Sequence, residues 1–262
     1  MNGSSSPNAA LGSKMEGNGL IDVSFDFRTD TPPGRDPDSF SPTLRRYHKL
    51  LWSKALPGGQ VFELSDARSR YLHHRSELGE FYMTSDAVVP TFRKDPRLAH
   101  VFEQIPDQLN SFMSIGYTIG GMMLFPGNRI GGRSTINAAR GFHPRIKDRF
   151  DLTVECIRRH YAGAVSPLRD ALARYAGFFR LFGDFRGYVD FFLLQDLVTP
   201  DYAKVKCFAC SDDFGASPVP DGLDRYLAYR ALAVEFIEAR NRRIEEWAHG
   251  QASARTFALD PA

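Results

Sequence analysis

The chain has 262 residues, 43% of them hydrophobic and 24% charged, with a formal net charge of +2. That charge is too small for a general nucleic-acid coat, and three cysteines cannot build a disulfide framework. No uninterrupted apolar run approaches the roughly 20 residues of a membrane span, so no membrane partner is expected.

Residues 1–20 are rich in Ser, Gly and Asn and lack the apolar core of a signal peptide. They are expected to be a disordered tail, residues 250–262 a loose one, and the reducing cytosol the location. Residues 21–249 are expected to form a single α+β domain, with short strands and loops in the N-terminal half and a mostly helical C-terminal half. The 21 phenylalanines imply a large aromatic core, since each buried ring removes about 150–250 Å² from water.

In chain order, "IDVSFDF" (21–27) alternates apolar and polar residues and predicts a strand. Ser41-Pro42, Asp95-Pro96 and Ser166-Pro167 each read as a helix cap followed by proline at the first helical position, where the missing N–H has no partner anyway. "QVFEL", "FYMTSDAVV" and "YTIGGMMLFPG" predict further strands, the last ended by Pro126-Gly127. Ile146, Phe150, Val154, Ile157 and Tyr161 mark a buried helical stripe. A helix over 166–182 follows. "FRGYVDFFLLQDLV" (185–198) is apolar on nearly all sides and predicts a central buried helix. Asp190, a charge inside this apolar window, is expected to pair with an arginine of 145–159 rather than to be catalytic. A long final helix begins near Asp221.

Taken together, "FDFRTDTPPGRDPDSFSPTLRRYHKLLWSK", "SELGEFYMTSDAVVPTF", "YTIGGMMLFPGNRIGGRSTINAARGF", "RFDLTVECIRRHY" and "GYVDFFLLQDLV" resemble a bacterial family known only as a domain of unknown function. The resemblance spans about residues 21–247 and implies a bacterial, full-length, single-unit protein. It implies no activity, cofactor or catalytic residue.

Charge is segregated along the chain. Residues 125–161 hold eight Lys or Arg against three acids, and residues 108–147 hold no acid at all. Gly127, Gly131 and Gly132 permit a tight turn whose N–H groups cradle an anion, while Arg129, Arg133, Asn137, Arg140 and Arg149 supply donors for phosphate or carboxylate. The competing reading is a glycine turn whose arginines pair with the acidic segment, in which Asp22, Asp26, Asp30, Asp36 and Asp38 outnumber Arg28 and Arg35. Asp36 and Asp38 in "DPDS" are candidate ligands for Mg²⁺ beside a phosphate, or simply caps and turn formers. His143 and His160 stand among arginines, which favours the neutral form that a general base needs. Each histidine also reads as an ordinary core or surface residue. Arg242 and His249, seven apart on the last helix, share a face, as in the arginine-to-histidine spacing of HEPN-type ribonucleases, but Arg243 stands where those have Asn, Asp or His, and Arg240-Asn241 lies too far from His249. "CFAC" (Cys207 to Cys210) lacks two further ligands for zinc and reads as two ordinary cysteines.

The sequence thus points to a cytosolic protein with a phosphate-type anion site, a nucleotide- or RNA-directed enzyme taking a phosphate-containing small molecule or RNA. The alternative is a non-catalytic interaction protein whose arginines grip an acidic partner.

Overall fold

A computed structural model of the chain describes residues 21–66, 71–208 and 214–259, with side chains as far as residue 251. Residues 1–20 and Cys210 lie outside the described residues. The architecture is α+β: a small antiparallel sheet formed in the N-terminal half is embedded in helices.

Residues 21–27, expected as a strand, instead run through turns at 23–24 and 27–30. The side chains decide it. Asp22 Oδ1 accepts the Ser24 N–H at 2.9 Å and Asp26 Oδ1 accepts the Arg28 N–H at 3.0 Å. Such Asx turns offer the backbone an alternative to a ladder. The apolar alternation still works, because Ile21 and Phe27 are buried.

Helix α1 (Pro37–Phe40) is capped by Asp36, and α2 (Pro42–Trp52) by Ser41, whose hydroxyl accepts the Leu44 N–H at 3.0 Å. Leu44, Tyr47, His48, Leu51 and Trp52 form the buried stripe of α2. Strands β1 (Leu72–Ser76) and β2 (Gly79–Ala87) make a hairpin, and β3 (Met122–Pro126) pairs with the other side of β2. Between them lie α3 (Ala99–Phe102) and α4 (Pro106–Gly116). β3 is buried along its whole length, so it reads as a continuous apolar run rather than an alternation.

Five helices follow: α5 (Ile136–Phe142), α6 (Phe150–Tyr161), α7 (Arg169–Arg174), α8 (Ala176–Arg180) and α9 (Phe185–Phe191). The helix expected over 166–182 breaks at Tyr175, whose hydroxyl donates to the Asn128 carbonyl at 2.8 Å. Just beyond the break, Gly177 lets α8 approach the β1–β2 hairpin, since a Cβ there would lie 2.6 Å from the Leu78 carbonyl oxygen. The helix expected over 185–198 stops at Phe191. Leu193 adopts a left-handed φ of 55° and the Leu194 N–H donates to the Val189 carbonyl, which closes the helix end. Asp190 lies on the solvent side of α9 and pairs with Arg186 at 3.6 Å, not with an arginine of 145–159.

The final helix α10 (Gly222–Leu259) packs against α4 and the 119–121 turn that leads into β3. Arg240, fully buried, donates to the carbonyls of Gly120 at 3.0 Å, Met122 at 2.8 Å and Phe192 at 3.1 Å. Its neighbour Asn241 accepts the Gly120 N–H at 2.7 Å. Gly120 is required at this crossing, because a Cβ would meet Asn241 Oδ1 at 2.5 Å. The Arg240-Asn241 pair is therefore a backbone clamp.

Candidate functional site

Alternation along β2 builds the site. Phe81, Met83 and Ser85 point into the core, so Tyr82, Thr84 and Asp86 line the opposite face. Helix α5 lies across that face, begun by a Thr135 cap that accepts the Ala138 N–H at 3.2 Å. Asn137 and Arg140 are three residues apart, hence on one side of α5. Asn137 Nδ2 donates to Thr84 Oγ1 at 3.1 Å, and Arg140 Nη1 donates to Asp86 Oδ2 at 2.7 Å.

Arg140 is fully buried and every nitrogen of its guanidinium is used. Nη1 also lies 2.9 Å from Asp148 Oδ1, Nη2 donates to the Asp148 carbonyl, and Nε donates to Thr153 Oγ1 at 3.2 Å. Thr153 in turn donates to the Arg149 carbonyl at 2.8 Å. Arg149 is buried as well, paired with buried Asp151, which accepts the Phe208 N–H at 2.8 Å. Two of the five arginine and asparagine donors expected at an anion site, Arg140 and Arg149, are thus joined in one internal network with protein partners. Asn137 shares the α5 face with Arg140. Arg129 and Arg133 lie apart from them, exposed on the glycine turn, where Gly131 and Gly132 take left-handed φ values of 59° and 70°.

Asp86 and Asp148 line a cleft of about 660 Å³ together with Phe92, Arg93, Lys94, Met113, Tyr117 and Lys147. Asp86 is only partly exposed, and burial pushes its carboxyl up to about 6; Arg140 opposes that shift and Asp148 adds to it. Beside it, the Ser85 N–H donates to Asp38 Oδ1 at 2.6 Å. Burial pushes Asp38 up to about 7 against that hydrogen bond, with Asp36 and Asp86 adding repulsion. The acidic segment therefore reaches the β2 end of the site through Asp38. Asp36 is exposed and caps α1 by accepting the Asp38 N–H at 3.1 Å. Among the described residues no three His, Cys, Asp or Glu side chains are arranged to hold a metal ion.

Backbone strain converges on the same cleft. Five non-glycine residues among those described have positive φ, and three of them, Phe92 at 56°, Lys147 at 47° and Asp148 at 67°, line it. A left-handed conformation costs about 1–2 kcal/mol for an L-residue, and residues held so gather at functional sites.

The two histidines expected as catalytic groups sit differently. His143 follows α5 directly, half-buried, and its Nδ1 accepts the Arg145 N–H at 3.1 Å. Burial, with Arg145 assisting, lowers it below the ordinary histidine value. His160 packs on the Phe179 ring at 5.0 Å, and burial lowers it too. It lies seven residues beyond Thr153 on α6, about 10 Å along the helix. A third histidine, His48, is buried on α2. Trp52 Nε1 donates to its Nδ1 at 3.0 Å, which leaves Nε2 as the donor toward Ser85 Oγ at 3.1 Å. With the proton on Nε2, His48 does not activate Ser85 as a nucleophile.

Sequence reasoning passed over Asp86, Asp148, Lys94, Lys147 and Tyr117. One signal was present: Asp86 is, with Glu80, one of two acids at the outward positions of β2, and Asp148 ends the acid-free stretch.

The geometry defines an α+β protein with a mixed-charge cleft on one face of a small antiparallel sheet. A family model described as a family of unknown function, DUF6994, matches residues 21–244, and the chain belongs to that family. No curated protein and no solved structure matches it. Among the described residues no helix is long and apolar enough to cross a membrane.

Proposed function

We propose that the cleft binds a small phosphate-bearing ligand of nucleotide type and that Asp86 is its general acid–base. One observation carries the reading: a carboxyl held near 6, backed by a buried guanidinium, stands in the wall of a cleft rimmed by cations. A group with a pKa close to ambient pH exchanges protons most effectively in a transition state. The exposed Lys94, Lys147 and Arg93 offer point charges to a phosphate, and Phe92, Met113 and Tyr117 offer apolar surface to a ring. In this reading Arg140 and Arg149 hold the site's shape, and Arg140 acts on the ligand through Asp86. The reading needs no metal, so Mg²⁺ bound at Asp36 and Asp38 is an added arm of the test.

Calorimetric titration with AMP, ribose 5-phosphate and inorganic phosphate, each with and without Mg²⁺, tests it. AMP should bind most tightly, Lys147→Ala should weaken it about tenfold, and Asp86→Asn should leave binding largely intact. Failure of all three ligands to bind, or equal binding by wild type and Lys147→Ala, would overturn the proposal.

The second reading keeps one specific support. Arg129, Arg133 and Arg145 are exposed, and Phe142 at the end of α5 is 86% exposed. An exposed ring beside basic residues suits an acidic protein segment. Loss of binding to polyglutamate in the Phe142→Ala, Arg133→Glu double variant is the result expected of it.

A further inference from the structure

A separate cleft of about 450 Å³ is lined by Lys54, Pro57, Asp184, Arg186, Asp190 and Phe191. The Lys54 ammonium position is enclosed by rings: Nζ lies 5.0 Å from the Trp52 centroid, 4.8 Å from Phe191 and 5.2 Å from Trp247. These rings come from three different helices, α2, α9 and α10, so the fold fixes the amine's position. The cleft's carboxylates are engaged elsewhere. Asp184 caps α9 by accepting the Gly187 N–H at 2.7 Å, and Asp190 Oδ1 accepts from Tyr202 Oη at 2.7 Å and Gln195 Nε2 at 3.0 Å. The buried Arg240 guanidinium also lies over the Trp52 ring, 5.8 Å from its centroid.

We infer that Lys54 is a nucleophilic lysine that condenses with the carbonyl group of a small aldehyde or ketone bound in this cleft. The Nζ lone pair attacks the carbonyl carbon, the carbonyl oxygen leaves as water, and an imine joins the ligand to Nζ. The reaction requires a neutral amine, held in place and approached through an opening. The aromatic walls supply the positioning and exclude water, and the cleft supplies the approach. The charged groups around the amine are Arg240 from α10 and Asp184, Arg186 and Asp190 from α9. Aromatic faces attract an ammonium. Burial and then the Arg240 charge act the other way and lower the amine to about 8. This value makes the neutral form available near physiological pH.

Wild-type protein tests the inference without any substitution. The protein is treated with pyridoxal 5′-phosphate at a series of pH values, reduced with borohydride, and digested for peptide mass spectrometry. Hydride addition to the imine carbon fixes the adduct as a secondary amine. Lys54 should be labelled at least tenfold faster than exposed Lys204 at pH 7.5, with half-maximal rate near pH 8. Lys54→Arg should lose that adduct while Lys204 labelling is unchanged. A Lys54 rate equal to or below that of Lys204, or a half-maximal pH at the ordinary lysine value, would overturn it.

Discussion

Arg140 and Asp86, 54 residues apart in sequence, meet at 2.7 Å across the face between α5 and β2, with the guanidinium fully buried. The contact joins the basic stretch to the sheet, and Asp148 closes it from the other side. Two partly exposed carboxylates share one buried cation, so its loss leaves both without their partner and the Thr153 hydroxyl and Asp148 carbonyl without their donor. Arg140→Met should therefore destabilise the protein by about 1–3 kcal/mol, the range for leaving buried hydrogen-bonding groups unpaired. Arg140→Lys should recover only part of this, because an ammonium lacks the fork that reaches Asp86, Thr153 and the Asp148 carbonyl together. Urea denaturation of the two variants measures the difference, and a loss under about 1 kcal/mol for Arg140→Met would show that the network is dispensable.

The aromatic core gives a separate expectation. Phe192 is fully buried, with ring centroids of Phe191, Tyr188, Phe182 and Trp52 at 4.9, 5.0, 5.1 and 5.3 Å. Close packing on all sides leaves little room for collapse around a void. Phe192→Ala should cost about 3–5 kcal/mol in chemical denaturation, and Phe192→Leu distinctly less.

Local chemistry made much of this fold legible. Ser41-Pro42 and Asp95-Pro96 cap helical turns as their residue types require, Ser166-Pro167 does not, and strands occupy residues 81–87 of "FYMTSDAVV" and 122–126 of "YTIGGMMLFPG". The basic stretch reads as a glycine turn and not as helix α5, which puts Asn137 and Arg140 on one face. Their partners were not legible, because Thr84 and Asp86 lie more than 50 residues away in sequence. The stretch "IDVSFDF" misleads for a definite reason: alternation alone ignores that Asp22 and Asp26 bond their own backbone. The apolar run 185–198 reads as one helix because periodicity cannot see Leu193 turn left-handed, nor the Phe192 carbonyl given to Arg240. The absence of acids from 108–147 reflects both a buried strand and a guanidinium whose carboxylates come from outside that segment.

Strain at the cleft separates stability from binding. Lys147 has a φ of 47° and an exposed side chain at the cleft rim. Glycine adopts this conformation without the steric penalty of a Cβ, at the expense of greater freedom in the unfolded chain. Lys147→Gly should leave stability unchanged or raise it by up to about 1 kcal/mol, although a side chain is deleted. The same change removes a rim cation and should weaken AMP binding. Thermal melting and calorimetry on one preparation decide it. If stability and affinity fall together, the turn is structural rather than kept strained for a ligand.

Asp38 should make the fold lose stability as pH rises. Its carboxyl moves from an ordinary value near 4 to about 7 because burial disfavours the charge, so the folded chain holds this proton more tightly than the unfolded chain. Between these two values the folded state carries more of the proton, and each step upward in pH weakens it relative to the unfolded state. The penalty is absent below about pH 4, grows through pH 4–7 and is constant above. Buried His48 runs the other way: lowered to about 3, it must be neutral in the fold, so its contribution improves as pH rises from 3 to 6.5. The raw pH profile mixes the two. Asp38→Asn separates them, because its carboxamide oxygen can still accept the Ser85 N–H and has no charge to bury, while His48 is present in both proteins. The stability of Asp38→Asn minus that of wild type, from urea midpoints, should rise between pH 4 and 7 and then level off. A difference that stays flat over that range would mean that Asp38 titrates like a solvent-exposed aspartate, and the repulsion argued from Asp36 and Asp86 would fall with it.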